Sequence, residues 1–205
     1  MKSFLILAVI FFMIACHTSA WAQFLANTQT LGVTAGMPSL GRDAEVGVDY
    51  EYCAASSKIA GGLGIGGLFR YYNNVSDGPN FSNKLDRYTF GITGEYHPLI
   101  GSGRFDPEFG FIVGYEYWTL YRTSNFPAVS PDSTSNEPRL SAGVSAGVRV
   151  WMNDWLAFRL RVFVGDSYSL IGYNNILTAA AVPTAALELG IDFGIQPSHA
   201  TPLSR

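Results

Sequence analysis

The sequence predicts an all-β protein, an eight-stranded antiparallel up-and-down transmembrane β-barrel. Three observations lead there. From residue 31 onward, apolar residues recur with a period of two through eight separate segments. Charged residues make up only 14% of the chain, against roughly 25% in a typical soluble domain. Yet beyond the N-terminus no apolar run approaches the ~18 residues that a membrane-spanning helix needs. Aromatics at 14% and 22 glycines complete a composition poorly suited to a water-facing surface. At 205 residues the chain is one domain of ordinary size. Its net charge of -3 offers no electrostatic footprint for nucleic acid.

The N-terminus reads as a secretory signal over residues 1–22. Lys2 supplies the positive end, "FLILAVIFFMIA" the apolar region and "AWA" an A-x-A cleavage site. The barrel then occupies residues 23–196 and a short periplasmic tail 197–205. A rival reading cuts before Cys16 and lipidates it, from "MIAC", although Met13 is an unusual residue three positions before such a cysteine. With cleavage after Ala22, Cys53 is the remaining cysteine, expected as a small side chain in a packed interior.

The first segment, "TLGVTAGM" from Thr30 to Met37, sets Leu31, Val33 and Ala35 on the apolar parity and is expected to start before Thr30. The second alternates Val46, Val48, Tyr50 and Tyr52 with Glu45, Gly47, Asp49 and Glu51. In the third, Leu63, Ile65, Phe69 and Tyr71 oppose Gly62, Gly64, Gly66 and Arg70. The fourth sets Tyr88, Phe90, Ile92 and Tyr96 against Thr89, Gly91, Thr93 and Glu95. In the fifth, Phe109, Phe111, Val113, Tyr115 and Tyr117 oppose Glu108, Gly110, Gly114 and Glu116. The sixth is the most regular, with Leu140, Ala142, Val144, Ala146, Val148 and Val150 against Ser141, Gly143, Ser145, Gly147 and Arg149. The seventh sets Leu156, Phe158, Leu160, Val162 and Val164 against Arg159, Arg161 and Gly165. The eighth, "TAALELGIDFGIQP", sets Leu187, Leu189, Ile191, Phe193 and Ile195 against Glu188, Gly190, Asp192 and Gly194. A helix would repeat its apolar positions every three to four residues, so these are strands. Each is near the ~9–11 residues of a membrane-spanning strand.

The connections alternate in length. Short ones run around Ser56, through "PLIGSG" and through "MND". On the other end fall "NNVSDGPNFSNKLD", "RTSNFPAVSPDSTSNEP" and a stretch from Asp166 to about Thr178, with only "PSLGRD" short. Short turns at one end and long loops at the other are the pattern of an outer-membrane barrel.

Alternation alone also fits a soluble barrel with its apolar residues inside. Against that, the central apolar parity of segments two to eight carries no Asp, Glu, Lys or Arg, and the other parity is rich in glycine. Glycine weakens strands and serves no purpose on a water-facing surface. Side chains just fill the interior of eight strands, so the Phe, Tyr, Leu and Ile of the apolar parity would overfill it. The apolar face therefore points to lipid. The lumen receives Glu45, Asp49, Glu51, Glu95, Glu108, Glu116, Glu188 and Asp192, with Arg70, Arg149, Arg159 and Arg161 as counter-ions. Buried charges must be paired, which predicts an interior salt-bridge network. An ion path is one reading of it; a packed plug is favoured, because so narrow a lumen is filled. Tyr50, Tyr52, Tyr71, Tyr88, Tyr96, Tyr115 and Tyr117 fit interfacial girdles.

With these segments placed, the chain resembles the small outer-membrane β-barrel proteins, the group of the outer-membrane protein A and X transmembrane domains and the opacity-type adhesins. The resemblance covers roughly Phe24 to Ile195 and is one of pattern more than of fixed residues. It implies that "ELGIDFGI" is the signal by which barrel-assembly machinery recognises the last strand, carried by Glu188, Gly190, Phe193 and Ile195. The tail "QPSHATPLSR" departs from the group, whose signal usually closes the chain on an aromatic residue. That tail is too short for a peptidoglycan-binding domain.

Enzymatic members of such a group would need a histidine base near the outer rim. The three histidines are His17 in the signal, His97 at the periplasmic end of segment four and His199 in the tail. None is placed for surface catalysis, and two isolated histidines make no metal site. The "GGLGIGG" glycines are strand glycines, not a phosphate loop. The expectation is a non-enzymatic outer-membrane protein without cofactor or metal, for envelope support or surface binding. Its partners would be outer-membrane lipids, the assembly machinery and an extracellular ligand of the long loops. The alternative is a narrow porin-like channel for ions or small solutes.

Overall fold

In the computed structural model the described residues are 27–38, 44–57, 61–78, 81–98, 104–124, 132–170 and 182–195. The signal, Cys16, the tail and both His17 and His199 lie outside them. The described residues form eight strands, β1 (Gln29–Pro38), β2 (Glu45–Ser57), β3 (Gly61–Asp77), β4 (Phe81–His97), β5 (Phe105–Ser124), β6 (Ser133–Trp151), β7 (Leu156–Ser169) and β8 (Val182–Ile195). Each pairs antiparallel with its sequence neighbours in a closed barrel. Closure comes from β1 on β8, in a register running from Gln29↔Ile195 to Pro38↔Ala186. A closed sheet leaves no unpaired edge, as an apolar solvent demands of any strand that crosses it.

Side-chain parity follows the alternation read from the sequence. Leu31, Val33, Val46, Val48, Ile65, Phe90, Ile92, Phe111, Val144, Val164 and Leu189 are all exposed on the outside. Large apolar side chains exposed in rows around a whole barrel have one compatible solvent, which is hydrocarbon. Phe69 and Phe90 face each other with ring centroids 5.0 Å apart, and Tyr71 and Tyr88 stand one row nearer the loop end at 5.2 Å. At the opposite rim Trp155 stacks on Phe193 at 6.4 Å, while the Tyr52 hydroxyl donates to Asn27 at 2.7 Å. Aromatic rings at both rims with polar tips toward water make the expected girdles.

Two features depart from the sequence reading. The stretches "NNVSDGPNFSNKLD" and "RTSNFPAVSPDSTSNEP" are largely paired strand. The β3–β4 ladder continues to Asp77↔Ser82, and the β5–β6 ladder to Arg122↔Ser133. These two hairpins protrude past the apolar band, while the expected loop after Asp166 lies outside the described residues from residue 171 onward. Beyond that band both faces of a strand are polar, so period-two patterning vanishes although the backbone still pairs. The second departure is inside. Leu68, Ile112 and Phe163 lie on the glycine-rich parity, with Leu68 and Ile112 buried. Adjacent apolar residues ("LF", "FIV", "VFV") hid them within the alternation.

Candidate functional site

The lumen is the candidate site. Its floor is set by strand geometry: Glu45, Asp49 and Glu51 of β2 occupy alternate positions, as do Arg159 and Arg161 of β7 and Glu188 and Asp192 of β8. Residues two apart share a face, so each strand delivers a short column of charge inward. All twelve of the charged positions expected in the lumen are buried there.

Eleven of them join one network with His97 and Asp106. From the loop end, Arg70 contacts Glu45 at 3.7 Å, Asp49 at 3.4 Å and Glu188 at 3.1 Å. Arg161 takes up Glu188 at 2.8 Å, Asp49 at 3.3 Å and Glu95 at 3.2 Å. Arg159 bridges Asp49 at 2.5 Å and Asp192 at 3.3 Å. Arg149, with no exposed surface, binds Asp192 at 2.6 Å, Glu51 at 2.9 Å and Glu108 at 3.3 Å. Each guanidinium thus ties strands from different sides of the barrel. Its planar fork of five donors suits it to several carboxylates at once.

Glycine makes the network fit. A Cβ at Gly147 would stand 2.7 Å from Glu108 Oε1, and one at Gly64 would overlap the Glu51 carboxylate. The buried carboxylate heads occupy the space that side chains would otherwise fill.

Glu116 belongs elsewhere. It accepts hydrogen bonds from Trp118 Nε1 at 2.7 Å and Ser167 Oγ at 2.9 Å. Ser167 in turn accepts from Arg139 Nε at 2.9 Å. Arg139 lies over the Trp118 ring at 4.6 Å, and Arg87 over Tyr72 at 4.8 Å, so the loop end of the lumen is rimmed by cations on aromatic faces. Arg87 also binds Glu45. The sequence reading misses Arg87, Trp118 and Arg139 because they sit where the alternation stops, at or past the ends of their segments, although Trp118 shares parity with Glu116 and Arg139 with Ser141.

His97 corrects the reading of an isolated histidine. It is buried in the lumen, with Nδ1 2.9 Å from Asp106 Oδ1 and Nε2 2.8 Å from Glu51 Oε1. Its parity with Glu95, two residues earlier, was the available signal. Cys53 is buried, its thiol 3.5 Å from the Ala55 carbonyl at a bulge in β2. Of the last-strand residues, Glu188 and Gly190 face the lumen, while Phe193 and Ile195 are exposed on the outside.

A loop-end cleft among the described residues is small. Lined by Glu45, Arg70, Arg87, Ile112, Glu116 and Phe163, among others, it holds about 30 Å³. That is room for water, far below the ~300–1,000 Å³ of a small-molecule site. Leu68, Ile112 and Phe163 crowd the same level, against Gly91 and Gly143.

A closed eight-stranded barrel with an apolar exterior and a filled, charged lumen is the architecture of the small outer-membrane barrel proteins, of the outer-membrane protein A and X kind. Solved structures agree. The N-terminal β-barrel domain of OprF from Pseudomonas aeruginosa superposes with a TM-score of 0.55 at 11% identity, over 83% of this chain and 98% of that one. Neisserial surface protein A gives 0.52 at 15% identity, over 81% and 94%. OprG from Pseudomonas aeruginosa gives 0.51 at 16% identity, over 85% and 99%. No protein-family model matches the chain, and no curated protein matches it in sequence.

Proposed function

We propose that this is a non-enzymatic integral protein of a bacterial outer membrane, exported through a cleaved signal over residues 1–22. It supports the envelope or binds surface partners through the hairpins and loops beyond the β3–β4 and β5–β6 rims. The observation that carries this reading is the combination of an outward apolar belt with a lumen crossed by its own ion pairs. The fold alone does not decide between enzyme and binder. The residues of the lumen do bear on it: both ring nitrogens of His97 and the heads of Arg70, Arg149, Arg159 and Arg161 face carboxylates. The assembly machinery would read Phe193 and Ile195 from the lipid side of β8, with Glu188 and Gly190 seated inside.

Recording of the purified protein in planar bilayers tests the plug against the narrow channel. Electrical silence is expected. Steady unitary conductance would replace the plug with a channel. A loop-deletion series over the β3–β4 and β5–β6 hairpins, scored for surface binding on intact cells, tests the binding role; loss of a bound partner without loss of folded barrel is the expected result.

A further inference from the structure

We propose that the turn end of the lumen is a binding site for a divalent transition-metal ion of the Zn²⁺ class, held by His97 Nε2, Glu51 Oε1 and Glu95 Oε2. The three donor atoms lie within 4.8 Å of one another. Nε2 is 2.8 Å from Glu51 Oε1 and 4.0 Å from Glu95 Oε2. Donors bound tetrahedrally at ~2.0–2.2 Å stand roughly 3.4 Å apart, between these two values. Small rotations of two carboxylates close the set around one ion.

Three further features point to a cation rather than to ion pairing alone. First, Nδ1 of His97 faces Asp106 Oδ1 at 2.9 Å. A proton on Nδ1 then directs the Nε2 lone pair at Glu51 and Glu95. A carboxylate behind the imidazole is the usual support of a metal-bound histidine. Second, Glu95 Oε2 is buried and accepts no hydrogen bond, standing 4.0 Å from both His97 Nε2 and Arg149 Nη2. A buried carboxylate oxygen without a partner calls for an explanation, and an ion supplies one. Third, carboxylates outnumber guanidinium groups around the site, even with Arg161 on Glu95 Oε1 at 3.2 Å. Glu51, Glu95, Asp106 and Glu108 all lie within 4.0 Å of Arg149. Arg149 occupies Glu51 Oε2 and leaves Oε1 to the histidine. A divalent ion in place of the proton between His97 and Glu51 lowers the negative excess by one charge.

The mixed donor set selects the metal class. One imidazole with two carboxylates suits Zn²⁺ and its first-row neighbours, whereas Mg²⁺ and Ca²⁺ favour all-oxygen sites. The ion would join β2 to β4 across the intervening β3, at the turn end of the barrel.

The test uses the full-length protein without a histidine tag, extracted from membranes in detergent, stripped with EDTA and titrated with Co²⁺. One equivalent per barrel is expected, visible as d–d absorption and displaced by an equivalent of Zn²⁺. Glu95→Gln and His97→Ala should each abolish stoichiometric binding in protein that still shifts on a gel before and after boiling. Asp106→Asn should weaken it about 10–100-fold. His199→Ala should leave it unchanged. Should His97→Ala fail to fold, the near-isosteric Glu95→Gln decides alone. Folded wild type that takes up no stoichiometric metal, or binding that survives Glu95→Gln, overturns the proposal. Binding that disappears with His199→Ala overturns it too.

Discussion

Replacing Arg149 with methionine removes the positive charge from the most densely paired point of the lumen. The guanidinium donates from Nε to Asp192 at 2.6 Å and from an Nη to Glu51 at 2.9 Å, with Glu108 at 3.3 Å and Asp106 at 3.6 Å. Methionine keeps most of the aliphatic stem, so the loss is mainly one of charge and hydrogen bonds. Removing one partner of a buried ion pair costs about 3–5 kcal/mol, because the other is left uncompensated. Here several carboxylates are left at once, which places the expected loss at about 5 kcal/mol or slightly above. Set against a total stability of roughly 5–15 kcal/mol, that is enough to cripple the barrel. Urea titration in lipid vesicles, followed by gel mobility without boiling and by tryptophan fluorescence, measures the change. Asp192→Asn completes a double-mutant cycle, and the two changes together should be less harmful than their sum by about 0.5–3 kcal/mol. A loss under about 1 kcal/mol for Arg149→Met, with no coupling to Asp192, would refute the claim that the ion pairs hold the lumen.

Three further outcomes are expected. Val144 is 63% exposed and Ser145 8% exposed, so a lipid-soluble spin label should be relaxed by dissolved oxygen at 144 and shielded at 145, in a Cys53→Ser background; Val144→Arg should cost about 2–4 kcal/mol in vesicles. The reverse labelling pattern would mean that the belt does not face lipid. Phe193→Ala with Ile195→Ala should leave export intact while lowering the amount of heat-modifiable barrel in the membrane, and wild-type levels of assembly would remove the signal from these residues. Gly64→Val should destabilise the barrel by about 1–3 kcal/mol in the same urea titration, since its side chain would enter the volume of the Glu51 carboxylate; an unchanged midpoint would show that the lumen is loosely filled.

The sequence by itself determined the number of strands, their faces and most of the charged lumen. Val46, Val48 and Tyr50 alternate with Glu45, Asp49 and Glu51 because successive side chains of a strand point to opposite sides, and that is a property of a few consecutive residues. Any stretch that meets two different solvents writes them into its own pattern. Where both faces meet the same solvent, as in the protruding ends of β3–β4 and β5–β6, the pattern falls silent, and Arg87 and Arg139 went unread. Tertiary structure alone decided the partners. Arg161 reaches Glu95 and Asp49 from the far side of the barrel, and Arg149 on β6 meets Glu51 on β2. His97 finds Glu51 and Asp106 on two other strands, which turns a histidine that reads as isolated into the centre of a carboxylate cluster. Those meetings depend on the stagger with which eight strands close on themselves. Stagger is set jointly by all the ladders, so no single strand carries it.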